Sequence, residues 1–396
     1  MLRSLFSGIS GLRAHQTMLD VTGNNIANVN TTGFKASQSQ FQDTLSQVLT
    51  NAGGGQDGVG GTNPAQVGLG VRVAGITTNF QQGAAQLTNR STDMMISGDG
   101  FFMVRKGSEQ FYTRAGAFDF DATGQLVTPD GGLVQGWAAD DAGAIDTNGT
   151  LTDMRLPIAT LMGAAGTTSA TFEGNLPADA TVTPATILNR EVDVYDADGT
   201  MHSLSLAFTK TGTGWTVAAT QDGAPVGTSL NLAFGADGKL TTTPAVLDAG
   251  VVDVQLGTIT GYAGLSTVEA LSQNGRAAGT LQSFTINADG TLLGSFSNGL
   301  KQALGRVSLA TFTNPAGLEK AGGSLYRTTV NSGDPQVGEA GTGGRGDLTG
   351  GALEMSNVDL SAEFTNLIIA QRGFQANSRV ITTSDELLQE LVNLKR

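Results

Sequence analysis

The chain of 396 residues contains no cysteine. Without cysteine there is no disulfide, no thiolate metal site and no cysteine nucleophile, so redox chemistry says nothing about the compartment. No continuous run of about 18 apolar residues is present either, and we therefore expect no helix inserted in a membrane. The apolar core and cleavage site of a secretory signal are missing at the N-terminus, so we expect that an exported chain uses another route.

Charge is also scarce. Only 14% of the residues are charged, against about 25% in typical soluble domains. The formal net charge is −13, and Lys and Arg form no cluster. Because contacts with phosphate groups need clustered Lys and Arg, we expect neither nucleic acid nor an anionic membrane as a partner. Glycine is abundant instead, with 56 residues, and the length allows two or three domains.

The first residues of the chain have the apolar period of a helix. Their spacing, in alternating steps of three and four, is typical of a coiled-coil seam. The apolar seam positions are Leu2, Leu5, Ile9, Leu12, Leu19 and Ile26. The segment that follows reads GNNIANVNTTGFK, and its Asn, Thr and Gly residues favour turns over helix interiors. We therefore expect the helix to end in this segment.

The end of the chain returns to the same period. The apolar seam positions there are Leu360, Phe364, Leu367, Phe374, Ile381, Leu388 and Leu391. Ser356, Asn357 and Asp359 are candidate N-caps, and Glu363 lies in the early turns, where the helix dipole favours an anion. Because both long helices carry a seam and lie at opposite ends of the chain, we predict that they pair as a coiled coil.

Between the helices the sequence is typical of strands. The predicted fold class is mainly β with terminal α: paired terminal helices and two outer antiparallel β domains, the second inserted in the first. Asp198-Gly199 and Asp289-Gly290 are predicted hairpin turns, whereas the segment 35–55 resembles a weak helix or an irregular stretch. The predicted boundaries are 1–29 with 357–396 for the helices, 30–70 with 331–356 for linkers, 71–145 with 281–330 for the first β domain, and 146–280 for the second.

Short motifs of enzymes and ligand sites occur, but each has a simpler interpretation. GTGGRG, with Gly341, fits a dinucleotide pattern without the flanking strand and helix that the chemistry needs. The run from Asp119 to Asp130 partly imitates a calcium loop but lacks the terminal Glu, so a hairpin turn is the better interpretation. The two histidines, His15 and His202, have no catalytic motif beside them. We expect no catalysis, no cofactor and no metal.

Three long segments resemble bacterial flagellar axial proteins, the family of rod, hook and hook-filament junction subunits. The N-terminal segment looks like the entry motif of that family, and the residues that carry it are Asn24, Asn25, Ala27, Asn28, Asn30, Thr31, Gly33, Phe34 and Lys35. ISGDGFFMV with YTRAGAFDFDATGQ is similar to the first sheet domain, and the last forty residues are similar to the C-terminal helix. The inserted middle segment is similar to hook sequences in particular.

The resemblance implies a structural subunit of the flagellar hook that self-assembles into a flexible, curved tube and transmits motor torque as a universal joint. It further implies an extracellular position continuous with the basal body. The implied partners are other copies of the chain, the distal rod protein, the hook cap, the hook-filament junction protein and the flagellar type III export apparatus. The alternatives are a distal rod or junction protein, or a monomeric secreted β-rich adhesin.

The assembly hypothesis also makes physical predictions. Burial along one helix pair does not offset the entropy lost in ordering it, so we expect terminal helices that order only when many copies bundle. Weakly charged outer domains suit sliding, because few strong ion pairs must break when a tube bends. The Gly-rich stretches near 53–61 and 338–351 are predicted hinges.

Overall fold

The computed structural model describes residues 2–55, 60–140, 142–156, 161–178, 186–212 and 214–394. The protein is mostly β, with one long helix near each end of the chain. It divides into two units: the first unit is Met1–Leu156, Phe284–Leu293 and Ala303–Arg396, and the second unit is Pro157–Ser283 and Gly294–Gln302. The second unit thus interrupts the first along the chain. These observations confirm the predicted fold class.

The two terminal helices are α1, Leu2–Ala27, and α2, Leu360–Asn393. Asp359 caps α2, because its side chain accepts hydrogen bonds from the backbone N–H groups of Ser361 and Ala362. Asp359 therefore has the predicted capping role, and α1 and α2 pack against each other as expected. Within the described residues, neither helix is long and apolar enough to span a bilayer.

The strands of the first unit are short and almost all antiparallel partners of one another. Those wholly within it are Ser37–Asp43, Ser46–Thr50, Ala65–Gly68, Val71–Thr78, Ala85–Leu87, Met94–Ser97, Phe101–Lys106, Glu109–Thr113, Asp119–Phe120, Leu126–Val127, Leu133–Ala138, Thr152–Asp153, Leu309–Thr311, Glu319–Gly322, Leu325–Arg327, Gln336–Gly338, Asp347–Gly350 and Ala352–Glu354, with a 3-10 turn at Pro315–Gly317. Three further strands, Gly279–Ile286, Thr291–Phe296 and Lys301–Val307, have residues in both units.

The main sheet of the first unit is built around one buried aromatic cluster. Its strands follow the order Leu133–Ala138, Phe101–Lys106, Glu109–Thr113, Leu325–Arg327 and Glu319–Gly322. The cluster consists of Phe101, Met103, Tyr112, Ala310, Phe312, Leu318 and Tyr326. Edge-to-face ring pairs such as Phe101 with Phe312, whose centroids lie 5.7 Å apart, add to the burial of apolar area. This sheet is the body to which the chain ends are attached.

The prediction of a weak helix or irregular stretch over 35–55 is wrong. Ser37–Asp43 pairs antiparallel with Val71–Thr78, and Ser46–Thr50 pairs with Ala65–Gly68. The polar run SQSQFQD has no apolar period of its own, so its partner strand decides its conformation rather than its composition. The segments predicted as linkers, 30–70 and 331–356, likewise contain these paired strands and others.

The hinge predicted near 338–351 is not supported either. Asp347–Gly350 pairs with Met94–Ser97, and the backbone N–H of Gly346 donates to the Asp99 carbonyl oxygen at 2.7 Å. This segment is therefore attached to the body of its own unit. In the other predicted hinge, 53–61, Gly53 pairs with Thr62, and residues 56–59 lie outside the described part of the chain.

The second unit contains two four-stranded sheets around a shared core. The eight strands of these sheets are Ser169–Asn175, Ile187–Tyr195, Met201–Thr211, Gly214–Gln221, Ala224–Leu232, Val246–Ala249, Val252–Thr260 and Glu269–Gln273. A ninth strand of this unit, Leu161–Met162, pairs with Gly279–Ile286 instead. Trp215 and Phe208 from one sheet and Phe172 from the other belong to the same buried cluster. One pair, Ser169–Asn175 with Val252–Thr260, is parallel, an exception to the predicted antiparallel pairing. The long chain segment between these two strands supplies the crossover that a parallel pair needs.

Both predicted hairpin turns are confirmed. Ile187–Tyr195 and Met201–Thr211 pair through a turn in which the Gly199 N–H donates to the Asp196 carbonyl oxygen. Gly290 closes the second turn in the same way, by donating to Asn287. In each turn the glycine has a positive φ, 83° and 82° respectively, which glycine adopts without steric strain.

Candidate functional site

The asparagine-rich segment ends α1, as predicted. The helix stops at Ala27, and the Asn28 N–H still donates to the Asn24 carbonyl oxygen. The Asn28 side chain also donates to Asn24 and accepts from the Thr31 hydroxyl. The Asn28 side chain also donates to the Asn24 carbonyl oxygen, so it adds a hydrogen bond to the backbone at the helix end.

Gly33 is the point where this segment lies against the body of the first unit. Its φ is +66°, and a β-carbon there would lie 2.4 Å from the backbone nitrogen of Ala115. Its N–H donates to the Glu354 carbonyl oxygen at 2.8 Å. Position 33 therefore requires both a left-handed backbone and close contact with another backbone, and among the amino acids only glycine meets both requirements without strain.

Lys35 forms a buried ion pair with Glu354. The Lys35 Nζ lies 2.7 Å from Glu354 Oε1, and both side chains are 0% exposed. The ammonium also donates to the Gln81 carbonyl oxygen, and Arg114, itself buried, lies 3.6 Å from Glu354 Oε2. Burial lowers the pKa of Lys35, while the hydrogen bond to Glu354 opposes that change. We call Lys35, Glu354 and Arg114 the buried ion cluster.

Two asparagines join the chain ends by hydrogen bonds. Asn25 donates to the Ser37 carbonyl oxygen and to Glu363 Oε1, and it accepts from the Ser37 N–H. Asn357, just before α2, accepts from the Ala36 N–H and donates to two backbone carbonyl oxygens. Asn25 therefore connects α1, the first strand and α2 at one point. Phe34 adds a third attachment, because the Lys320 ammonium lies 4.9 Å from its ring centre.

The contact between the helices is made by small residues. A β-carbon on Gly11 would lie 2.8 Å from the Asn377 side-chain oxygen, and one on Gly373 would lie 2.5 Å from the His15 ring. With the Asn25–Glu363 bond near the other end, these contacts show that α1 and α2 run antiparallel. Extending the same register brings Leu2, the first residue of α1, level with Glu386.

The predicted apolar seam is only partly the observed one. On α1, Leu5, Ile9, Leu12, Leu19 and Ile26 are half-buried, whereas the buried positions are Gly8, Gly11, Ala14, Thr22 and Asn25. On α2, Leu367, Phe374, Ile381 and Leu388 are half-buried, but Leu360, Phe364 and Leu391 are exposed. The side chain of Leu2 lies outside the described part. Because the two helices pack closely, the face of α1 with Gly8 and Gly11 lies against α2, and the larger side chains lie at the edges of that face.

A second apolar stripe on α2 is about half exposed, and a β-carbon on Gly8 of α1 would lie 3.5 Å from Val380 at its edge. Its exposed members are Ile369, Val380, Leu387, Leu391 and Leu394, which follow one another at spacings of 11, 7, 4 and 3 positions and so lie along one side of the helix. An exposed apolar helix face of this length indicates a surface that binds another chain.

Several residues that build this site carry no sequence signal. Arg114 and Glu354 look like ordinary strand residues, and Glu354 lies 319 positions from Lys35 in the sequence. Gly8 and Gly11 do have a signal, a stripe of small residues one position beside the apolar stripe, which identifies a close helix contact.

The motifs of enzymes and ligand sites form ordinary structure. Asp121 accepts from the backbone N–H groups of Thr123 and Gln125, so the calcium-like run is the predicted hairpin turn. His15 packs against α2 at Gly373. No group of three or more His, Asp or Glu side chains among the described residues is arranged to hold a metal ion.

His202, in the second unit, has two carboxylates beside it. Its Nδ1 lies 2.6 Å from Asp222 and its Nε2 lies 3.5 Å from Asp196. The hydrogen bond to Asp222, above all, raises the pKa of His202, and the same bond lowers the pKa of Asp222.

We expect this contact to stabilise the second unit most at mildly acidic pH. Because the folded pKa of His202 is raised, its contribution is fully present below the unfolded pKa of about 6.5 and is lost as the pH rises through the folded value. Melting temperatures of the protein and of the His202→Gln variant should therefore differ at pH 6 and converge by pH 9. A difference that does not change with pH would contradict this role.

The comparisons with known families cover most of the chain. Residues 5–35 match "Flagella basal body rod protein", residues 95–179 match "Flagellar hook protein FlgE/F/G D1 domain", residues 166–291 match "Flagellar basal body protein FlaE D2 domain", and residues 349–394 match "Flagellar basal body rod FlgEFG protein C-terminal". The first and last matches contain the paired helices and the asparagine-rich segment.

Similarity to individual proteins extends over the whole length. The flagellar hook protein FlgE of Borreliella burgdorferi is 41% identical, with 100% of each chain covered, and that of Escherichia coli is 38% identical, with 98% of each covered. The chain belongs to the flagellar hook protein family. The flagellar basal-body rod protein FlgG of Bacillus subtilis is 35% identical, again with 100% of each chain covered.

Hook proteins also share the fold. A solved structure, the flagellar hook protein FlgE2 of Helicobacter pylori, covers 68% of this chain and 100% of its own, with a TM-score of 0.56 and 17% identity. Full-length similarity to hook proteins supports a structural hook subunit and does not favour the rod, junction or adhesin alternatives. The hook and rod matches together support self-assembly into a polymer that is associated with the flagellar basal body.

Proposed function

We propose that this protein forms a curved, flexible, extracellular tube that works as a universal joint between the flagellar motor and the filament. The observation that carries the proposal is the exposed apolar stripe on α2, in a chain similar over its full length to hook proteins. Each copy presents an apolar surface that its own fold covers only in part. When such a surface meets a different surface on the next copy and the rotation does not close, the product is an open helical polymer.

The buried contacts of the chain ends suit a part that carries load. The cluster of Lys35, Glu354 and Arg114 and the Asn25 hydrogen bonds attach the helices to the sheet of the first unit. Force applied to the helices is therefore transferred to the body through buried groups rather than through a flexible linker. The weakly charged outer surface, with 14% charged residues overall, leaves few ion pairs to break as neighbours slide during bending.

The other partners are inferred only from the resemblance to the family, and we include them in the same proposal. They are the distal rod protein at one end of the tube, the hook cap and the junction protein at the other, and the flagellar type III export apparatus. The domain boundaries predicted from the sequence, and the ordering of the terminal helices on assembly, are part of it as well. On this account the protein has no catalytic role and needs no cofactor.

Electron microscopy of the purified protein at increasing concentration tests the proposal. We expect tubes above a critical concentration, and the variant Ile369→Asn/Val380→Asn should raise that concentration at least tenfold. Full burial of an apolar side chain contributes about 1.5–3 kcal/mol, and Ile369 and Val380 are 54% and 42% exposed, so about half of that contribution remains for each. A difference of about 1.4 kcal/mol is a tenfold change.

The matched control is Gln371→Asn/Thr382→Asn, which changes two exposed polar positions on another side of the same helix, spaced as Ile369 and Val380 are, and it should assemble normally. Melting temperatures of the monomers show whether either variant damages the fold. A protein that stays monomeric at every concentration, or tubes that form equally well from both variants, would contradict the proposal.

A further inference from the structure

The C-terminal helix is longer than its partner. In the register given by the Gly11–Asn377 and Gly373–His15 contacts, α1 begins level with Glu386, so the stretch from Leu387 to Asn393 extends about 10 Å beyond it at 1.5 Å per residue. We call this stretch the overhang. Its apolar side chains are largely uncovered: Leu387 is 52% exposed, Leu391 50% and Val392 70%.

The exposed side of α2 changes charge along its length. Arg372 and Arg379 lie in the first two thirds, and Glu386 and Glu390 lie at and in the overhang. Within the described residues, no salt bridge involves any of these four side chains. The helix therefore has a basic part and an acidic part, each with exposed apolar neighbours.

The two parts match at one separation. Eighteen residues make about five full turns of an α-helix, so positions 18 apart point in the same direction. At that separation Arg372 corresponds to Glu390, and Ile369 corresponds to Leu387. Two parallel α2 helices staggered by about 27 Å, one of them turned by half a rotation about its own axis, would place the basic group against the acidic one and the two apolar groups against each other.

We propose that the overhang of one copy docks on the exposed side of α2 of the next copy, around Ile368, Ile369 and Arg372. This inference rests on the proposed assembly into a tube and adds which segment meets which. The two surfaces cannot meet within one chain, because they lie about 27 Å apart on one continuous helix. The contact joins unlike surfaces, so every unassembled copy has one donor and one acceptor surface, and the array is an open polymer with two different ends.

Charge reversal tests the electrostatic part. Arg372→Glu and Glu390→Arg each place like charges against one another in the proposed contact, and each should raise the critical concentration for assembly at least tenfold. The double variant Arg372→Glu/Glu390→Arg restores opposite charges and should return the value to within about threefold of the original protein. Glu191→Arg, at an exposed position in the second unit, makes the same charge change as Glu390→Arg and should have no effect.

Cysteine cross-linking tests the geometry, and the chain has no cysteine that would interfere. In the variant Ile369→Cys/Leu387→Cys, oxidation of assembled tubes should give a ladder of disulfide-linked multimers. The control Thr365→Cys/Leu387→Cys should give little cross-linking. Normal assembly of the two single charge-reversal variants, or tubes of Ile369→Cys/Leu387→Cys that give no ladder, would overturn this docking while leaving the proposed function intact. Failure of the unaltered protein to assemble would instead contradict the proposed function itself.

Discussion

Replacing Glu354 by alanine is expected to lower the free energy of unfolding by about 3–5 kcal/mol. The substitution leaves Lys35 and Arg114 buried without their carboxylate, and removing one partner of a buried pair has an effect of this size. Glu354 also accepts from the Gly83 N–H at 2.8 Å, so a backbone donor loses its partner too. Denaturant unfolding of the unassembled protein, followed by circular dichroism, measures the change.

Comparison with Lys35→Met distinguishes the two sides of the cluster. In that variant Glu354 keeps Arg114 nearby and the Gly83 hydrogen bond, so we expect a smaller loss than for Glu354→Ala. The matched control is Glu109→Ala, which breaks an exposed pair with Arg327 whose side chains are 60% and 51% exposed. Exposed pairs contribute about 0–1 kcal/mol. Equal losses for Glu354→Ala and Glu109→Ala would show that the buried ion cluster does not stabilise the fold.

Replacing Gly33 by alanine is expected to be nearly as damaging, with a loss of about 3–5 kcal/mol. A left-handed backbone alone costs an alanine about 1–2 kcal/mol. The remainder comes from overlap, because the new methyl group would lie 2.4 Å from the Ala115 nitrogen and backbone atoms cannot turn aside as a side chain can. The displaced segment would also pull Lys35, two residues further on, away from Glu354.

Gly107 provides a close control for this substitution. Its φ is +65°, almost that of Gly33, but a β-carbon there meets nothing within 4 Å. Gly107→Ala therefore measures the backbone strain alone, and the difference between the two variants measures the close contact at Gly33. If both variants lose the same stability, the contact with Ala115 has no energetic role.

The sequence predicted the fold where the signal was local. The apolar period and the turn-forming and capping residues located both helices. Asp359 acts as the predicted cap and Gly199 lies in the predicted turn, because such roles depend on neighbours a few residues away. Ser37–Asp43 was missed because its conformation depends on a partner strand that begins 28 residues after it ends. The prediction of which face of α1 is buried was partly wrong for a related reason. Apolar content predicted the leucine and isoleucine face, but the two helices approach so closely that the face with Gly8 and Gly11 is buried instead.

The candidate site was predicted in part. The asparagine-rich motif was identified, and its turn-forming role followed from residue type alone. The partner of Lys35 was not predictable, because an isolated Glu at position 354 has no pattern that connects it to the N-terminal motif. Pairing over 319 positions is a property of the folded chain.

That separation has a consequence for how the subunit matures. The cluster takes its lysine from near the beginning of the polypeptide and its glutamate from near the end. A chain that is interrupted before position 354 would have to bury two cations without a counter-ion, which strongly disfavours the native arrangement. We therefore expect polypeptides that end before position 354 to fold poorly and, for that reason, not to join an assembly.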